Sequence, residues 1–71
     1  MSRIEIVHWR EREQRLGSWS QNELVIDCNL EPEHRRFEIA LVLRDGDDVE
    51  DLAMSIEYII NAGNSAIENS Q

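Results

Sequence analysis

One cysteine, Cys28, and two histidines, His8 and His34, are the residues from which a thiol nucleophile or a zinc site would have to be built. Their spacings match none of the paired-ligand patterns that zinc requires. Cys28 alternates with Leu24 and Ile26, so it is expected as a buried, inert thiol. A catalytic thiol needs a nearby base in an exposed, electropositive setting, and its neighbours offer neither. By parity His8 falls with the apolar residues, at the edge of a core, whereas His34 sits in a loop and meets water. The run Asp45-Gly46-Asp47-Asp48-Val49-Glu50 lacks the arrangement of a calcium loop. Its glycine stands second rather than sixth, and Val49 occupies a place that should carry oxygen. These acids suit a turn and the positive end of a helix dipole. Asp45, Asp47, Asp48, Glu50 and Asp51 nevertheless put five acids into seven residues, more than one cap needs, so they are also candidates for a partner-binding acidic surface. No phosphate-cradling glycine loop, nucleophile elbow or two-histidine metalloprotease motif is present. The residues point to no enzyme, cofactor or metal.

The charge is uneven. The chain has 71 residues, with 7 arginines, no lysine and 15 acids, for a net charge of −8. Residues 1–36 carry six arginines against seven acids, while residues 37–71 carry only Arg44 against eight. That balance disfavours nucleic acid and anionic membranes, both of which are bound through cations. What remains is a protein partner with a basic surface, a cation, or no charged partner at all. No apolar run approaches the roughly 18 residues of a membrane span, and Met1-Ser2-Arg3-Ile4-Glu5 lacks a signal-peptide core. A lone cysteine excludes an internal disulfide and suits the cytoplasm, the host's if the chain is virus-encoded. A chain this short makes one domain, residues 1–71.

The positioning elements follow from periodicity. Ile4 to Trp9 is β-branched and aromatic, which suits a strand. The charged run Arg10 to Arg15 then reads as a solvated strand end or hairpin tip, with a three-residue loop at Leu16-Gly17-Ser18. Leu24, Ile26, Cys28 and Leu30 alternate with polar residues, predicting a strand over 23–30. Pro32 marks a four-residue loop at 31–34, and Phe37, Ile39, Leu41 and Leu43 predict a third strand over 35–43. After Asp45-Gly46 the period changes. Val49, Leu52, Ile56, Ile59 and Ile60 follow helical spacing, predicting a helix over about 47–61. Asp47 or Asp48 can cap it and Gly63 can stop it, although Ile67 continues the apolar stripe and could extend a frayed last turn; 64–71 reads as a frayed polar tail. The fold class is therefore α+β, a three-stranded antiparallel meander with one C-terminal helix on its Ile26–Ile39 face (β-β-β-α).

Parity with loops of these lengths gives Trp9 opposite Val25, Ile6 opposite Cys28, Ile4 opposite Leu30, and Cys28, Ile26 and Leu24 opposite Phe37, Ile39 and Leu41, and shifts of two residues satisfy parity equally. The face away from the helix then presents Val7, Trp9, Val25, Ala40 and Val42, with Trp19 just beyond the hairpin tip. One helix covers one face, so this second apolar strip is expected as a contact surface for a partner or a second copy. Trp and Arg suit such a surface, since they are favoured where binding energy concentrates.

In size, acidity and lack of catalytic residues the chain resembles the small phage proteins that block host machinery, anti-CRISPR and DNA-mimic inhibitors among them. The likeness is one of composition, with no motif behind it. It implies a non-enzymatic protein-binding inhibitor or adaptor that occludes a partner's functional surface. The alternative is a structural subunit or homodimer whose sheet face is its assembly contact.

Overall fold

Extended, β-branched segments occupy the first two thirds of the chain, and the helical period takes over after Gly46. In the computed structural model, which describes residues 2–69, this gives β1 (Arg3–Leu16), β2 (Trp19–Glu31), β3 (Arg35–Val42) and α1 (Val49–Asn69). The strands form one antiparallel sheet in the order β1-β2-β3. The fold is the expected β-β-β-α.

The second hairpin pairs as its apolar alternation requires. Cys28, Ile26 and Leu24 lie opposite Phe37, Ile39 and Leu41. Glu31 closes β2, paired with Arg3, so the expected four-residue loop shortens to 32–34, entered through a cis Glu31–Pro32 bond and holding His34 at a φ of 55°.

The first hairpin departs from expectation twice, and the departures cancel over part of its length. Its turn is two residues, Gly17-Ser18, so Leu16 pairs with Trp19 rather than entering the loop. Gly17 has a φ of 68° at the first central position, the conformation a type II′ turn demands of glycine. This moves the pairing by one residue from that expected. A β-bulge at Val7, between the pairs Ile6–Cys28 and His8–Asp27, moves it back. Ile4 and Ile6 therefore pair with Leu30 and Cys28 as expected. Between bulge and turn, every side chain lies on the other face. Trp9 stands opposite Ile26 on the helix side, not opposite Val25, whose partner is Arg10. His8 moves the other way, leaving the apolar face to stand opposite Asp27.

Leu24, Ile26, Cys28 and Ala53 are fully or nearly buried at the centre of the core. Around them pack Ile4 and Ile6 of β1, Phe37, Ile39 and Leu41 of β3, and Leu52, Ile56 and Ile60 of α1. The helix starts on a cap, with the Asp51 backbone N–H donating to Oδ1 of Asp48 at 3.2 Å. Asp47 closes the preceding turn: its Oδ2 accepts from the Arg44 N–H at 2.8 Å, and its own N–H donates to the Arg44 carbonyl at 3.1 Å. Gly46 takes a φ of 89° there.

Gly63 does not stop the helix, which runs on to Asn69. An interior glycine costs about 1 kcal/mol relative to alanine. The continuation is held by tertiary contacts instead. Asn64 Nδ2 donates to the Ile4 carbonyl at 2.7 Å, the Ile4 N–H donates to Asn64 Oδ1 at 3.2 Å, and Arg3 lies 3.5 Å from Glu68. The expected frayed tail is therefore helical over 64–69, and residues 70 and 71 lie outside the described residues. The helix sits over β1 and β2, and none of its Cα atoms comes within 8 Å of a β3 Cα.

Candidate functional site

The outer face of the sheet carries alternating charges rather than a bare apolar row. The bulge turns His8, Arg10 and Arg12 onto this face, where β2 and β3 supply Asp27, Glu23 and Glu38. Arg10 Nη1 donates to Asp27, and its Nη2 donates to Glu38 Oε1 at 2.9 Å. Arg12 Nη1 donates to Glu38 Oε2 at 3.1 Å, while its Nε and Nη2 lie 3.3 and 3.2 Å from Glu23 Oε1. His8 Nε2 stands 2.9 Å from Asp27 Oδ2. Hydrogen bonds from Arg10 and Arg12 hold the Glu38 carboxyl below the usual glutamate range. The same contact with Glu38, followed by Glu23, raises Arg12.

Val25 lies beneath this lattice and is 0% exposed. Its cross-strand neighbours are Arg10 and Ala40. With no helix on this side, the aliphatic stems of the arginines supply its cover. Val25 is thus no part of an open contact surface. The rest of the expected row is dispersed. Trp9, 43% exposed, is on the opposite face, and Val7 is the bulged residue. Trp19 is at the far end of the hairpin, beside Leu16. Ala40 and Val42 remain exposed on the outer face of β3.

The residues with catalytic potential do not converge. His8 and Asp27 make a pair, but Cys28 points from the next position of β2 to the opposite face, into the core. Its Sγ is 3.7 Å from the Ile26 carbonyl, and burial, with a smaller contribution from Asp27, pushes its thiol pKa up. That is the setting of an inert cysteine. His34 is exposed, 3.4 Å from Glu31. Among the described residues no group of three or more His, Cys, Asp or Glu is placed to hold a metal ion.

The acidic cluster divides by role. Asp47 and Asp48 are engaged in the turn and the cap. Asp45, Glu50 and the Asp51 carboxylate project into solvent at the start of α1. The helix then carries Glu57 and Glu68 and no basic residue.

Sequence reasoning missed an exposed apolar feature on α1 and placed Ile59 in the buried stripe. Met54, Tyr58 and Ile59 are 62%, 75% and 63% exposed, and with Asp51 and Ser55 they line a shallow open depression on α1. On a 3.6-residue period Met54 and Tyr58 fall away from the stripe of Val49, Ala53, Ile56 and Ile60, and Ile59 falls on its flank. The signal was the four-residue spacing from Met54 to Tyr58 and from Ser55 to Ile59, a second stripe hidden beside a stronger one.

Among the described residues no helix is long and apolar enough to cross a membrane. Comparison with family models, with curated proteins and with solved structures gives no match for this chain.

Proposed function

We propose that this chain is a non-enzymatic protein-binding module, an inhibitor or adaptor that covers a functional surface of its partner with the outer side of α1. One observation carries this reading: Met54, Tyr58 and Ile59 stand out from a helix whose only charges are acidic. A surface helix normally turns a polar side to water, and an apolar strip there is an anchor awaiting cover. Tyr58 and Met54 are residue types enriched at such contacts. Asp51 at the edge of the strip, with Asp45 and Glu50 at its N-terminal end, favours a partner whose apolar groove has a basic rim. The small-inhibitor character suggested by size and acidity fits the same mode of action.

The test is site-specific photo-crosslinking in cell extract, with a photoreactive residue at position 58 and, in a second sample, at position 19. A discrete crosslinked partner is expected at position 58 only, lost in Met54→Ala/Tyr58→Ala and weakened by added salt. The same partner captured equally at position 19, or capture unaffected by the double substitution, would sink this reading.

A further inference from the structure

We propose that β3 pairs antiparallel with β3 of a second copy, joining two three-stranded sheets into one of six strands. The order β1-β2-β3 leaves two edges, and the chain treats them differently. On β1 the Asn64 side-chain amide engages both the N–H and the C=O of Ile4, occupying the edge where another strand would bond. The Val7 bulge interrupts the strand, and alternating Arg and Glu fill the rest. Each of these devices hinders strand addition.

The β3 edge has no proline and no bulge, and its register with β2 is unbroken from Arg35 to Val42. No Cα of α1 comes within 8 Å of a β3 Cα. Leu43 N–H donates to the Asn22 carbonyl at 2.8 Å, which sets the phase of the ladder. Odd-numbered residues of β3 bond inward to β2, so Arg36, Glu38, Ala40 and Val42 aim their backbone N–H and C=O groups outward. Phe37, Ile39 and Leu41 on the helix face are only partly buried.

The occupant is a second copy because the strand complements itself. A two-fold axis through Ile39 sets Phe37 opposite Leu41, Glu38 opposite Ala40 and Arg36 opposite Val42, the same patch serving both subunits. Within β3 no like charges stand directly opposite one another in that register. Glu38 is already paired with Arg10 and Arg12 of its own chain, so it brings no uncompensated charge to the seam. Centring the axis on Glu38 would instead set the two Glu38 side chains against each other, a repulsive pair at the seam.

Sedimentation of the full chain across a dilution series tests this. A dimer of the 8.3 kDa chain is expected, dissociating on dilution. Ala40→Pro removes an outward N–H while sparing the ladder to β2, and is expected to be monomeric with an unchanged circular dichroism spectrum. Val42→Lys faces Arg36 of the second copy twice over and should weaken the dimer by about tenfold, whereas Val42→Glu should hold it or tighten it. If Ala40→Pro does not fold, the two Val42 variants decide. A wild-type chain monomeric throughout, or Lys and Glu at position 42 with equal effect, would overturn the proposal. Tyr58→Ala leaves the dimer unchanged, which separates this edge from the helix surface.

Discussion

The two faces of the sheet are closed by different means. On one, Leu24, Ile26 and Cys28 are covered by Ala53 and the apolar residues around it on a helix more than twenty positions away. On the other, Val25 is shielded by arginines of the neighbouring strand, whose charged ends are pinned by Asp27, Glu23 and Glu38. Both give complete burial, but the first rests on apolar area and the second on long side chains held flat by charge. An apolar residue on the outer side of a small sheet is therefore not in itself a docking site.

Losing a residue between the bulge and the turn would break this division outright. With Glu11 deleted, a regular ladder running back from the Leu16–Trp19 pair turns Arg10 and His8 onto the helix face and Trp9 off it. Loss of a cooperative denaturant transition is expected. Deleting Val7 instead joins the pairs Ile6–Cys28 and His8–Asp27 in an unbroken ladder and keeps every face, so cooperative unfolding should persist. Cooperative unfolding of the Glu11 deletion, or its loss in the Val7 deletion, would mean that bulge and turn do not set the faces.

Truncation compares the two covers directly. Ile26→Ala should cost about 2–5 kcal/mol in equilibrium unfolding. Val25→Ala should cost less, about 1–2 kcal/mol, because flexible arginine stems can settle into the space. Equal losses would show that the arginine lattice is packed as rigidly as the helix.

The smallest effect is confined to the outer face and depends on pH. Glu38 has its folded pKa lowered, so its contribution is present above its unfolded value, about 4.3, and is lost as pH falls through the folded value. Glu38→Gln should therefore be less stable than wild type near neutrality, and the two curves should converge in acid. A gap that persists at low pH would assign the loss to packing instead of charge.

The alternation of Leu24 to Leu30 and of Phe37 to Leu43 made β2, β3 and the core legible, because one buried face leaves an unambiguous period of two. The first hairpin was opaque for a physical reason. Arg10-Glu11-Arg12-Glu13 is charged at every position, so its parity carries no apolar signal and a one-residue shift leaves no trace. The run of α1 past Gly63 was signalled only by Ile67 on the apolar stripe, since it is held by Asn64 meeting Ile4 across sixty positions. Of the candidate site, the acids at the helix start were visible as a cluster, but the engagement of Asp47 and Asp48 was not separable from the exposure of Asp45 and Glu50. The same missing bulge put Trp9 on the wrong face and left Val25, rightly placed on the outer face, without its arginine cover.

The long first hairpin also governs how the molecule tumbles. Its last turns, from about residue 13 to 22, run past the end of β3 as a two-stranded ribbon and stretch the molecule to 49 × 24 × 15 Å. The radius of gyration is 14.3 Å, where a compact chain of this length would have about 11 Å. Rotation about the long axis and end over end must then proceed at different rates. The two tryptophans sample that motion from different places, Trp9 over the body of the sheet and Trp19 beside the hairpin tip. Polarised emission from each would separate the rotation of the whole particle from the bending of its ribbon, giving the protein an optical gauge of its own stiffness.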